Sequence, residues 1–164
     1  MLKLAELNDL DLEQFTLRLR LVFEHSPWVA ARTAKDRPFA DLAELHRALC
    51  RTVHAASEDE KFALIRAHPD LVGNATLTNE SRAEQKSAGL DSLTAEEIAR
   101  FGDFNQRYRS KFDFPFVICA RLNKKEAILQ AFPARLENSR EQEIEAALSE
   151  ICKIAELRLR DLVS

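Results

Sequence analysis

Glycine and proline are scarce in this chain, 3 and 5 residues among 164, which argues against a fold with many tight turns. With Ala, Leu, Glu and Arg dominant, the balance predicts an all-α domain with short connections rather than a parallel α/β sheet. Cysteine is confined to Cys50, Cys119 and Cys152. An odd number at wide spacings argues against a disulfide framework and a zinc knuckle, and all three read as buried free thiols in a reducing compartment. Clustered positive charge is lacking too: 24 basic against 27 acidic residues leave a net charge of −3, so no nucleic-acid partner is expected. The first ten residues hold no long apolar run, hence neither a signal peptide nor a membrane span is expected. Residues 161–164 do not form a Ser-Lys-Leu type address, and a cytoplasmic location follows by default. Gly73, Gly89 and Gly102 are isolated and make no phosphate loop. There is no Gly-x-Ser-x-Gly elbow, His-Glu-x-x-His, paired Cys-x-x-Cys or calcium loop, and no metal site is expected.

What is present is helical periodicity. Residues 1–164 suffice for a single domain with a substantial core, read as a bundle of seven to eight helices with one short extended buried segment. The first helix is expected after Asn8 or Asp9, with Leu12, Phe15, Leu19, Val22 and Phe23 as its stripe; alternation over residues 16–22 also permits a strand. Residues 28–33 suit a short helix behind Pro27. Phe39, Leu42, Leu45, Leu49 and Val53 make the next stripe. Ser57-x-x-Glu60 is a capping box for a helix ending near His68. Thr78 caps another, closed by Gly89. Thr94-x-x-Glu97, between Leu93 and Ile98, opens a helix carrying Ile98, Phe101, Phe104 and Tyr108 to about Lys111. Asn123-x-x-Glu126 starts one expected to stop before Pro133. Ser139-x-x-Gln142 starts the last, with Ile144, Leu148, Ile151, Ala155 and Leu159 on its stripe.

Three places carry candidate chemistry. In His68-Pro69-Asp70-Leu71, proline restricts the backbone beside an imidazole able to exchange a proton near neutral pH; the same dipeptide can be only a helix stop. Ser81, Glu84, Gln85 and Ala88 recur at i, i+3, i+4 and i+7, placing a hydroxyl, a carboxylate and a carboxamide on one helix face. That face is either a solvated surface or, if His68 meets it, a proton-transfer site. Residues 112–122 form an apolar run around Pro115, read as extended and buried. Its backbone groups then need partners in helix ends, side chains or a ligand. Within it Cys119 reads as a buried inert thiol rather than a nucleophile. Arg121 is open to two roles, anion binding or a structural ion pair. His25, His46 and His54 show no ligand spacing.

Taken in order, Phe23-Glu24-His25-Ser26-Pro27-Trp28, His68-Pro69-Asp70-Leu71, Ser81-x-x-Glu84-Gln85-x-x-Ala88-Gly89-Leu90, Phe104-Asn105 and the run from Phe114 to Arg121 closely resemble the OHCU decarboxylase family. OHCU is 2-oxo-4-hydroxy-4-carboxy-5-ureidoimidazoline, an intermediate of urate breakdown. The resemblance spans nearly the whole chain; Ala31, where the family often has glutamate, departs from it outside the matched site segments.

The resemblance implies an all-helical homodimer that decarboxylates OHCU stereoselectively to (S)-allantoin with no metal or organic cofactor. It makes His68 the proton donor and Glu84 the group that orients or deprotonates the substrate hydroxyl or tunes the imidazole. Ser81 and Gln85 would bind substrate, Pro69 would border the pocket, and the main chain of Phe116, Val117, Ile118, Cys119 and Ala120 would meet the substrate ring. Arg121 is added here as a candidate for the substrate carboxylate. Two other classes remain open: a hydrolase of a related ureide, and a non-catalytic helical module binding a protein through the Ser81 face and the last helix.

Overall fold

The computed structural model describes residues 1–73 and 76–164. Among these lie nine α-helices: α1 (Leu4–Asp9), α2 (Leu12–Leu19), α3 (Trp28–Thr33), α4 (Leu42–His54), α5 (Glu58–Arg66), α6 (Asn79–Ser87), α7 (Ala95–Phe112), α8 (Lys125–Leu136) and α9 (Arg140–Leu162). Single 3-10 turns follow at Ala34–Asp36 and Ala120–Leu122. The chain divides into two compact units, Met1–Ala67 with Ile151–Ser164, and His68–Glu150. The all-α expectation holds, and no helix among the described residues is long and apolar enough to cross a membrane.

Most helix starts follow local capping chemistry. Ser57 with Glu60, and Thr94 with Glu97, form reciprocal capping boxes, and Ser139 exchanges hydrogen bonds with Gln142 in the same way. Each satisfies two backbone donors that a helix start leaves open. Thr78 Oγ1 accepts from Ser81 N. At the other end of α6, Gly89 takes φ +85°, so that Leu90 N bonds Gln85 O and Gly89 N bonds Lys86 O. This is the Schellman arrangement, which favours glycine because a side chain is strained at that φ.

Four expectations need correction. The helix placed after Asn8 or Asp9 begins at Leu12, because Asp11 is the residue whose carboxylate caps Gln14 N; the six-residue α1 before it is too short to show a period. Leu12 is 55% exposed while Phe15 and Leu19 are buried, so the helical phase wins over the strand reading but excludes Leu12 from the core. Ile98, 51% exposed, likewise leaves the α7 stripe. α8 starts at Lys125 and runs through Pro133 to Leu136. Proline removes one amide donor and crowds the carbonyl four residues back, yet burial of Ile128, Leu129, Phe132 and Leu136 carries the helix across it.

In the first unit Phe15, Leu19, Phe39, Leu45, Leu49 and Val53 are buried with Ile151, Ala155 and Leu159 of α9. Arg158 Nη2 and Glu24 Oε1 form a buried ion pair at 3.1 Å. The second unit is organised by aromatic rings: Phe132 stacks on Phe116 at 3.8 Å and on Phe104 at 5.0 Å between centroids, and Tyr108 lies 5.4 Å from Phe116. Those stacks fix the extended stretch through Phe116 against α7 and α8.

Candidate active site

The site builds outward from the end of α5. Its last turn closes at Ala67, and His68 and Pro69 leave the helix as the sequence pattern predicts. His68 is buried, and the backbone beyond it is gripped residue by residue. Gln85 Oε1 accepts from Val72 N at 3.3 Å, and Gln85 Nε2 reaches Asp70 O at 3.5 Å. Asn105 Nδ2 donates to Leu71 O at 2.7 Å, while Arg109 Nε lies 3.0 Å from both carboxylate oxygens of Asp70. Val72 is held at φ +58°, a strained value for a β-branched residue that persists only where neighbours over-determine it. Here three side chains do so. The Asn105 Oδ1 atom is buried without a hydrogen bond among the described residues, an arrangement that costs about 1–3 kcal/mol and marks a site worth explaining.

Helix α6 supplies the facing wall. Ser81 and Gln85 are only 6% and 9% exposed and Ala88 is buried, whereas Arg82, Ala83, Lys86 and Ser87 are exposed. The polar stripe therefore points inward, and the solvated-face reading fails. Glu84, half-buried, sits on the same stripe. α6 packs on the 3-10 turn Ala120–Leu122, an approach fixed by Lys125 N donating to Ala88 O at 3.0 Å and Lys124 Nζ to Ser87 O at 2.6 Å.

The run from Phe114 to Ala120 is buried and leaves helical structure over 115–119, with Cys119 in the extended region. Phe112 instead ends α7, and Ala120, Arg121 and Leu122 coil into the 3-10 turn, with Arg121 exposed. The backbone groups of this stretch are met by two distant side chains and one nearby. Arg135 Nη1 donates to Val117 O at 2.5 Å, Cys119 N donates to Glu150 Oε2 at 3.1 Å, and Asn123 Nδ2 donates to Cys119 O at 3.0 Å. These bonds leave out the N–H and C=O of Ile118 between them. Arg135 is itself fixed by Glu143, whose Oε1 also accepts from Tyr108 Oη at 2.5 Å. Burial pushes the Cys119 thiol upward, with the carboxylates of Glu150 and Glu84 adding to it, which favours the inert-thiol reading. The same influence shows that Glu84 lies within electrostatic reach of the extended stretch.

Thus the loop carrying His68 is bonded to Gln85, the residue after Glu84, and Glu84 acts on Cys119. Sequence reasoning overlooked Arg109, Arg135, Glu143 and Glu150. Asn105 and Arg109 stand at i and i+4 on α7, a spacing that could have revealed one shared face; Arg135 and Glu150 answer main-chain groups far away in sequence and leave no local signal. Among the described residues no group of three or more His, Cys, Asp or Glu side chains is placed to hold a metal ion.

The family model for OHCU decarboxylase matches residues 8–160. The chain belongs to the OHCU decarboxylase family. Within that family, 2-oxo-4-hydroxy-4-carboxy-5-ureidoimidazoline decarboxylase of Halalkalicoccus jeotgali is 41% identical over 161 residues, covering 98% of this chain and 92% of its own. A solved structure of (S)-allantoin synthase superposes with TM-score 0.81 at 30% identity, covering 99% of this chain and 54% of that one; this chain spans about half its length. A crystal structure of OHCU decarboxylase in the presence of (S)-allantoin gives TM-score 0.70 at 25% identity, covering 84% of this chain and 91% of that one.

Proposed function

We propose that this chain decarboxylates OHCU to (S)-allantoin in urate degradation, acting in the cytoplasm as a homodimer of one functional domain per chain, without metal or organic cofactor. The observation that carries the reading is the inward face of α6, where Ser81, Glu84 and Gln85 share a stripe that is hydrogen-bonded to the loop following His68. A buried hydroxyl, carboxamide and imidazole with a half-buried carboxylate, all within one unit, suit proton transfer on a small polar substrate. Burial of Ser81 and Gln85 removes the surface that a partner-binding module would use.

Breaking the bond to the carboxylate releases carbon dioxide and leaves an electron pair on the ring carbon. The conjugated imidazoline ring of the substrate accepts that pair, so the protein has to orient the ring and return one proton to one face. His68 donates that proton. Glu84 orients or deprotonates the substrate hydroxyl, or tunes the imidazole. Ser81 and Gln85 bind substrate; Gln85 already bonds the Asp70 and Val72 backbone, so it offers its remaining hydrogen and lone pair. Pro69 borders the pocket. In the stretch Phe116, Val117, Ile118, Cys119 and Ala120, the main-chain groups of Ile118 are those that the Arg135 and Glu150 bonds leave for a ring. Arg121 receives the substrate carboxylate.

Purified, metal-free protein given fresh OHCU should release carbon dioxide and develop the circular dichroism of one allantoin enantiomer faster than buffer. Racemic product at the buffer rate would refute the assignment, and ring opening with ammonia release would replace it by ureide hydrolysis.

A further inference from the structure

In the first unit, three residues converge between α4 and α9. Cys50 Sγ lies 3.3 Å from His46 Nε2, and the same nitrogen lies 2.8 Å from the main-chain oxygen of Cys152. His46 thus bridges the Cys50 sulfur to the backbone of Cys152, and the two cysteine side chains act on each other's thiol. Both cysteines are half-buried, against the expectation of three buried thiols, which only Cys119 meets. One helical turn away, at the i−4 position of Cys50 and the i+4 position of Cys152, His46 and Glu156 line a cleft of about 370 Å³ that also includes Leu42, Arg47 and Arg160.

A carbonyl oxygen can only accept, so His46 Nε2 must carry a hydrogen, which it directs at the Cys152 oxygen and shares with the Cys50 sulfur. The imidazole is therefore a donor to Cys50, and the sulfur best suited to receive that hydrogen is a thiolate. Cys152 donates its S–H to the same atom. The charge pattern agrees: Cys50 is held well below the usual thiol range, first by the Cys152 hydrogen bond and then by His46, while Cys152 and His46 are both raised. His54 acts on Cys50 and Glu156 on His46 through space.

We infer that Cys50 and Cys152 form a peroxide-reactive dithiol, with Cys50 the attacking sulfur and Cys152 the resolving one, closing a reversible disulfide between α4 and α9. The Cys50 thiolate attacks one oxygen of hydrogen peroxide; the O–O bond breaks, hydroxide leaves, and Cys50 becomes a sulfenic acid. Cys152 then loses its proton and attacks the Cys50 sulfur, expelling a second hydroxide as the S–S bond forms. The thiolate and thiol together give up two electrons and one proton, and hydrogen peroxide becomes one water and one hydroxide. Cys119, whose thiol burial pushes upward, takes no part.

The test is to treat the reduced full-length protein with hydrogen peroxide and follow intact mass and non-reducing peptide maps. The expected result is loss of two hydrogens, a single crosslink joining the Cys50 and Cys152 peptides, and return of both thiols with a reductant. Cys152→Ser should stop at a Cys50 sulfenic acid that a cyclic diketone traps. His46→Gln, with its helical spectrum intact, should slow oxidation roughly tenfold, the factor expected per unit of thiol pKa regained when the thiolate fraction limits the rate. A crosslink involving Cys119, a disulfide between two chains, trapping at Cys152 in place of Cys50, or full retention of both thiols in peroxide excess would each overturn the inference.

Discussion

Arg109 holds Asp70 from one nitrogen placed 3.0 Å from each carboxylate oxygen, two residues beyond His68. Because Arg109 is half-exposed, the pair contributes below about 1 kcal/mol to stability; its consequence is geometric. It fixes the loop from α7 while Gln85 fixes it from α6, so the backbone that follows His68 is held by two helices at once. Arg109→Ala should accordingly lower kcat several-fold with KM and the unfolding midpoint little changed. Arg109→Lys should recover only part of the loss, since an ammonium lacks the planar geometry of the guanidinium. Equal losses of kcat and stability would make Arg109 merely structural.

Direct participants should behave differently. His68→Ala removes the proposed proton donor and should reduce kcat/KM by roughly 10²–10⁴-fold, the usual range for a general acid, with the helical spectrum unchanged. Glu84→Gln keeps the shape and removes the charge, and should cost turnover more than stability. Initial rates of optically active allantoin, read beside the far-ultraviolet spectrum of each variant, decide both. Full activity in His68→Ala would remove the imidazole from the reaction.

The contrast between these residues shows where sequence reading succeeds. Ser57-x-x-Glu60 and Thr94-x-x-Glu97 are read correctly because a capping box is complete within four residues. The stripe from Ser81 to Ala88 is read correctly as one face, but periodicity does not say whether a polar face meets water or a neighbour; packing of the 3-10 turn at Ala120–Leu122 decides that. Pro133 is misread as a stop because the buried side chains flanking it outweigh one lost hydrogen bond. The partners of Val117 and Cys119 escape entirely, since Arg135 and Glu150 lie 18 and 31 residues away with no periodic relation to them.

Tyr108 offers a clean alkaline test because it is the only tyrosine in the chain. Burial raises its phenol first, and the hydrogen bond to the Glu143 carboxylate raises it further. A group whose folded pKa exceeds its unfolded value contributes stability fully present below the unfolded pKa, about 10 for tyrosine, and lost as pH rises above it. Phenolate absorbance should therefore be absent from the folded protein above pH ~10 and emerge only together with loss of ellipticity. Tyr108→Phe should abolish the signal and leave Glu143 with Arg135 and Asn138. Reversible phenolate formation in a fully helical protein would contradict the buried Tyr108–Glu143 bond.

The ion pair between Arg158 and Glu24 should show the opposite balance from Arg109 and Asp70. Both partners are nearly fully buried, so removing one leaves a charge that water cannot solvate, at a cost of about 3–5 kcal/mol. Glu24→Gln and Arg158→Met should each lower the urea midpoint strongly. The double variant should lose less than the two single losses added together, because the second substitution removes the charge stranded by the first. Trp28, the only tryptophan, lies in the same unit as the pair, so its fluorescence reports this unfolding directly. Strict additivity in the cycle would show that the two side chains do not stabilise each other, and that Arg158 acts chiefly through its bond to the Leu21 carbonyl.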